Sequence, residues 1–260
     1  MINTINSEKE AMLLLEISTT ACQMMLKNGA EIYRVEDTGE RIVRSRKNIR
    51  DVGVYATFNV VIVSFNLNGE IYTNLKRVKI RENNLILVDK VNSFSREFVK
   101  GDKKLEVALK ELLALKNQRG FSNQAKILGG SFAASLYAAL FNGALLDIII
   151  SFIVAYISQY LTKKIESKNL SFFVNTFASG LLIGILAIIF HTINNDVNID
   201  SVIIGALMPF VPGLAITNAV RDLMGGDTTS GITGSVNALL ISLALAFGVA
   251  LPISLYLKLW

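Results

Sequence analysis

The sequence predicts an α-helical integral membrane protein in which a small cytoplasmic α+β domain, residues 1–125, precedes a five-helix transmembrane bundle, residues 126–260. Three observations predict it. The 260 residues are 52% hydrophobic with a mean hydropathy of +0.46, high for an ordinary soluble chain. Charge is concentrated at the front: residues 1–125 hold 20 of the 26 Lys and Arg and 15 of the 21 Asp and Glu, whereas residues 126–260 hold six of each kind. Finally, Pro and Gly interrupt the apolar sequence of the back half, and lipid tolerates such breaks only where the freed backbone groups face protein or a wet cavity.

In the front domain, Leu14, Ile17, Ala21, Met24 and Met25 recur at helical spacing between Glu8 and Lys27, with Asn28-Gly29 as a stop. A second helical pattern from Ala30 carries Glu31, Tyr33, Arg34, Glu36 and Asp37 and ends in the basic run Arg41, Arg44, Arg46 and Lys47. The β-branched and aromatic run Val54–Phe65 reads as a strand that turns at Asn68-Gly69 into Ile71–Leu75, a hairpin signal. Val78–Ile80 reads as a third strand, Leu85–Val88 as extended or helical, and Val91–Leu115 as one or two helices jointed at Gly101-Asp102.

Composition also argues against several functions. Cys22 is the sole cysteine, so neither an intrachain disulfide nor a metal cluster is expected, and it reads as a small buried hydrophobe. His191 is the sole histidine and reads as an interfacial residue at the end of a span. No nucleophile elbow, phosphate loop or zinc spacing occurs, so neither catalysis nor a resident cofactor is expected. The front domain's positive charge lacks a nucleic-acid-binding motif and reads as a cytoplasmic retention signal. The apolar stretch Met12–Leu15 is cut off by Glu16 and has no basic flank or cleavage site, so the amino terminus is expected to stay in the cytoplasm of a multi-pass plasma-membrane (inner-membrane) protein.

Five spans are expected at about 127–144, 145–161, 170–193, 201–216 and 232–257. The first two divide at Asn142-Gly143, with Asp147 near the turn. Gly180 and Gly184 give the third a small-residue face for close packing, and Pro252 lies near the end of the fifth. Lys163, Lys164 and Lys168 mark the loop after the second span as cytoplasmic, whereas the next connection, with Asn194, Asn195, Asp196 and Asp200, has no Lys or Arg. An odd number of spans then puts Trp260 outside and Thr217–Asp227 towards the cytoplasmic side.

The densest polar chemistry of the back half lies between Pro209 and Gly231. Pro209, Pro212 and Gly213 break the apolar approach, and Gly225 and Gly226 close the stretch. Between them Thr217 and Arg221 are i, i+4, as are Asn218 and Asp222, so helical turns would stack these groups on adjoining faces. Asp227 is placed to cap the next helix, whose start at Thr228–Ser230 would add N–H donors. Arg221 suits a carboxylate, Asp222 or Asp227 an ammonium or a coupling proton, and Thr217 and Asn218 a hydroxyl or amide-like group.

The segments Asn28–Thr38 (NGAEIYRVEDT), the hairpin with its following Arg77-Val78, and Pro212–Gly231 (PGLAITNAVRDLMGGDTTSG) together resemble the threonine/serine exporter family over essentially the whole chain. The resemblance implies a cytoplasmic domain joined to five spans. Long members of the family carry a second membrane portion, so the chain is similar to the larger component of the two-component form, whose bacterial examples are linked to succinate export. It also implies hydrolase-like features in the soluble domain, although no triad accompanies Glu31, Arg34 and Glu36 here.

The expected function is therefore export of small carboxylate-bearing metabolites, threonine and serine ahead of C4 dicarboxylates, by a proton-coupled secondary transporter. A second membrane subunit or a second copy of the chain is expected as partner, received by the hairpin edge or by the Gly180–Gly184 face, which suits packing within the chain equally well. A sensor or enzyme merely anchored by the spans is the competing class, and a passive channel a third.

Overall fold

A computed structural model describes residues 4–79, 83–101, 103–116, 120–166 and 172–259. Ile80, Asp102, Lys168 and Trp260 lie outside the described residues. The chain forms two compact units: residues 1–120 with 214–235, and residues 121–213 with 236–260.

The first unit opens with α1 (Glu8–Lys27). Ser7 caps it, its side chain accepting from the Glu10 N–H, and Glu8 and Glu10 add negative charge at the positive end of the helix. Gly29, at φ 93°, lets the chain leave α1 and enter α2 (Ile32–Arg44) within a few residues. Gly39 of α2 sits against α1 so closely that a Cβ there would lie 2.6 Å from the Cys22 sulfur. Burial pushes the Cys22 thiol up to about 12, only partly offset by a hydrogen bond with Ser18.

Three antiparallel strands follow in the order β1 (Ile49–Ala56), β2 (Val60–Leu67), β3 (Glu70–Arg77). Asn68 and Gly69 both take positive φ and pair Leu67 with Glu70, the two-residue turn expected of Asn-Gly. The run Val54–Phe65 is not one strand, however. It breaks at Thr57–Asn59, where the Thr57 N–H donates to the Val60 carbonyl at 2.8 Å and no Gly or Pro announces the turn. The third strand is therefore Glu70–Arg77, and Val78 follows it, bonded to the Asn59 carbonyl, rather than opening a strand of its own. Alternation in β2 turns Val61, Val63, Phe65 and Leu67 inward. They join Leu14, Ile17, Val35 and Ile42 in one core with Val91, Phe98 and Leu112 from α3 (Leu85–Lys100) and α4 (Leu105–Lys116). The Arg46 guanidinium lies 4.8 Å over the Phe98 ring.

The second unit contains α5 (Asn123–Leu140), α6 (Leu145–Glu166), α7 (Phe172–Ile193), α8 (Ile199–Leu207) and a 3-10 turn, Met208–Phe210. Asn142, at φ 62°, and Gly143 make the expected division between α5 and α6. The Asp147 carboxylate accepts the Ala144 N–H with one oxygen and the Asn198 N–H with the other, both at 2.8 Å, and so ties the start of α6 to the chain entering α8. A helix α10 runs Thr228–Leu259, starting four residues before the fifth expected span, and contributes 236–259 to this unit.

Among the described residues, three helices are long and apolar enough to cross a membrane: Leu145–Ile165, Phe172–Ile193 and Thr228–Leu259. Helix α9 (Gly213–Met224) qualifies only with Ile199–Phe210, as a broken span or a re-entrant loop. The expected fourth span at 201–216 is thus interrupted at Val211-Pro212, because Pro lacks the N–H that would continue the helix.

The small-residue face of α7 is occupied within this unit. A Cβ at Gly180 would lie 2.6 Å from the Leu245 carbonyl oxygen and 3.3 Å from the Gly248 Cα, and one at Gly184 would meet Pro252 at 2.7 Å. Of the two expected uses of this face the structure has the packing within the chain: it receives α10, since backbones can approach this closely only where side chains are lacking. Gly180→Val is expected to separate α7 from α10 and lower the melting temperature and monodispersity of the detergent-purified protein, as read by size-exclusion chromatography during a thermal ramp.

Candidate substrate site

The site is built where α9 meets the corner between α1 and α2, all within the first unit. The i, i+4 pair Asn218 and Asp222 is buried. The Asn218 Nδ2 donates to the Gly29 carbonyl at 2.9 Å, and Asp222 Oδ1 accepts the Ile32 N–H at 3.2 Å. Ile32 is the first residue of α2, and Glu31, in the cap position, makes no side-chain capping bond. Asp222 thus supplies, from 190 positions away in sequence, an acceptor at the positive end of that helix.

Arg221, one residue before Asp222, projects its Nη1 to Glu31 Oε1 at 2.6 Å, while the other Glu31 oxygen lies 3.3 Å from Arg34 Nη1. The Glu31 side chain is only 10% exposed and that of Arg221 57%, so the acid is fixed and the guanidinium remains reachable. Burial would raise the Glu31 carboxyl, but hydrogen bonds from its backbone and from Arg221, with the Arg34 charge, outweigh it and hold the group below the ordinary glutamate range. Glu36, one turn further along α2, behaves oppositely. Burial raises its carboxyl, the bond accepted from the Ala56 N–H at 2.8 Å only partly offsets this, and the nearby Asp227, Glu40 and Asp222 charges raise it further.

The remaining expected residues lie around this contact. Pro209 sits in the 3-10 turn, Pro212 precedes α9 and Gly213 begins it. Gly225 and Gly226, the latter at φ 92°, turn the chain back so that the Asp227 N–H reaches the Asp222 carbonyl at 2.8 Å. Asp227 precedes α10 and accepts the Gly231 N–H through its backbone carbonyl, and among the described residues its carboxylate shows no capping bond. Thr217 and Thr228 are exposed and Ser230 is buried. Ala219 and Leu223 pack on Gly234 and Gly231, closing the α9–α10 turn. The cluster is packed on the α+β elements, where backbone groups and Glu31 satisfy it.

Two features escape sequence reading. One is the pairing of Asn218 and Asp222 with the backbone at Gly29 and Ile32, for which the sequence carries no signal. The other is a set of buried hydroxyls and one amide in the second unit, Ser131, Ser151, Ser158, Thr162, Asn175 and Ser179, of which helical spacing along α6 could have shown Ser151, Ser158 and Thr162. His191, at the end of α7, holds the Val197 carbonyl at 2.7 Å and meets Tyr256 edge-on, lining a cleft with Asp196 and Asp200. Among the described residues no group of His, Cys, Asp or Glu could hold a metal ion.

Apolar helices of membrane-crossing length in a mostly helical chain are those of an α-helical membrane protein, and Arg221 and Arg34 meet on Glu31 within its first unit. The model of the threonine/serine exporter family matches residues 16–256, and the chain belongs to that family. Compared with curated proteins and with solved structures, the chain matches none.

The two glutamates give opposite pH dependences. Glu31, depressed in the fold, contributes stability above the ordinary glutamate range that is lost as pH falls through its folded value. Glu36, raised in the fold, contributes below that range and loses its contribution as pH rises through its own folded value. Melting curves from about pH 4 to about pH 8 should show Glu31→Gln lowering stability most at neutral pH, whereas Glu36→Gln should raise it there.

Proposed function

We propose that the protein exports small zwitterionic amino acids, threonine and serine, with Arg221 as the carboxylate partner. The observation that supports this most directly is the Arg221–Glu31 pair: an accessible guanidinium held by a fixed carboxylate that a substrate carboxylate can replace. Glu31 is paired with that guanidinium and with Arg34, and three further acids, Glu36, Asp222 and Asp227, lie within electrostatic reach of one another. A second substrate carboxylate would meet repulsion there, and an ammonium would meet attraction. This favours an amino acid over a C4 dicarboxylate such as succinate, which is kept as the second reading because Arg221 would bind either one's first carboxylate. Asp222 or Asp227 would take the ammonium or a coupling proton, Glu36 is a further proton acceptor, and Thr217 and Asn218 would read the substrate's polar groups. The backbone at Thr228–Ser230, the start of α10, adds N–H donors.

We further infer a plasma-membrane protein with five spans and a cytoplasmic amino terminus, consistent with Lys163 and Lys164 at the end of α6. Alternating access by rocking uses two pseudo-symmetric halves, and among the described residues one bent helix pair, a broken span or re-entrant loop, occurs, so a second membrane subunit or a second copy is the expected partner. A sensor or hydrolase tethered by its spans would leave the Arg221 cluster without a task.

Efflux of labelled threonine and succinate from cells, with and without a co-produced second membrane subunit of the family, tests the function. Arg221→Lys should lower threonine efflux about ten- to hundredfold at unchanged membrane abundance, because a point ammonium cannot reproduce the planar fork. Wild-type efflux from that variant would remove Arg221 from the site.

A further inference from the structure

The second unit contains polar groups that its apolar surroundings do not explain. On α6, Ser151, Ala155, Ser158, Gln159 and Thr162 fall at i, i+4, i+7, i+8 and i+11, one helical stripe about 16 Å long. Ser131 of α5 faces it, accepting from Gln159 Nε2 at 3.4 Å, and Ser179 of α7 shares a 2.8 Å hydrogen bond with Thr162. Asn175 lies one turn from Ser179, whose hydroxyl donates to the Asn175 backbone carbonyl at 2.8 Å. Ser151, Ser158, Thr162 and Ser179 are all buried.

Packing alone accounts for small residues at helix contacts, and serine can close its own bond to the carbonyl one turn back. Ser131 and Ser179 do so. Three other groups do not: the Ser151 and Ser158 hydroxyls and the Asn175 side-chain oxygen are buried without a hydrogen-bond partner among the described residues. Ser151 Oγ lies 3.1 Å from where a Cβ on Gly205 of α8 would stand, so it points to the space that glycine leaves between α6 and α8. In an apolar bundle such groups are costly unless something that donates and accepts hydrogen bonds comes to them. Asn175 Oδ1 can only accept, and hydroxyls do both.

We propose that this seam is a water-accessible path along which the bundle binds the hydroxyl and ammonium groups of its transported solute. The solute assignment rests on the amino-acid export proposed above. The seam carries no formal charge between Ser151 and Thr162, so it suits a solute whose own charges cancel.

Cysteine reactivity tests it with little preparation, since the sole native thiol, Cys22, is buried and its raised pKa keeps it protonated. Ser158→Cys and Asn175→Cys, in cells producing the full chain and exporting threonine, should react with a charged methanethiosulfonate, and threonine should slow the reaction. Ile183→Cys, in the apolar core of the same unit, should stay unmodified. Asn175→Leu should reduce threonine efflux about tenfold at unchanged abundance. If cysteines at both 158 and 175 are inert while the wild type exports threonine, the seam is overturned and the export function stands. Modification that neither threonine nor serine slows removes the solute from the seam. Absence of threonine efflux from the wild type with cysteines at 158 and 175 still reactive overturns the export reading and leaves the water path.

Discussion

The first unit depends on one contact: the face of α9 that carries Asn218, Arg221 and Asp222 against the corner where α1 ends and α2 begins. That corner exposes what a helix junction always exposes, a carbonyl left over from one helix and N–H groups left over at the start of the next. Here they are the Gly29 carbonyl and the Ile32 N–H, and the supply of partners from α9 replaces the side-chain cap that Glu31 does not provide. Glu31 is thereby released from capping and can hold Arg221 instead. The same residues settle both the stability of the corner and the electrostatics of the site.

That economy explains the split between two neighbouring glutamates. Both sit on α2 and both lose solvent, yet Glu31 faces two guanidinium groups and Glu36 faces other carboxylates. Burial has the same sign for each, and the neighbours decide the outcome. The cluster thus keeps one acid ionised as a fixed counter-ion and biases its neighbour towards the neutral form.

Much of this was legible in the chain. The Asn28-Gly29 stop, the Asn68-Gly69 turn, the division at Asn142-Gly143 and the Pro212 break each rest on a local backbone rule, and the structure has all four. Thr57–Asn59 was missed because the turn there uses no residue that turns require, and β-branched neighbours on both sides masked it. Both site motifs, Asn28–Thr38 and Pro212–Gly231, stood out as polar chemistry, but not their meeting. Spacing on one helix puts Asn218 beside Asp222; it cannot say that the partner is a backbone carbonyl and an N–H at the far end of the sequence. Likewise Gly180 and Gly184 showed a packing face, and only the positions of Leu245, Gly248 and Pro252 show which helix takes it.

The two polar sets differ in kind, and the difference has a physical consequence for what can be carried. Around α9 the groups are charged and partly exposed, so a ligand's carboxylate and ammonium can each be matched by an opposite charge in a medium that still screens them. Along α6 the groups are neutral and buried, so a separated charge would find no counter-ion, whereas hydroxyls and an amide oxygen can meet a solute's own hydrogen-bonding groups. A zwitterion whose charges lie a few bonds apart presents little net field to such a wall. A dianion presents its full charge, with the cost that isolated charges carry in an apolar interior. Under the export proposed above, charge recognition in the first unit and charge neutrality along α6 would each favour a small hydroxylated amino acid over a dicarboxylate.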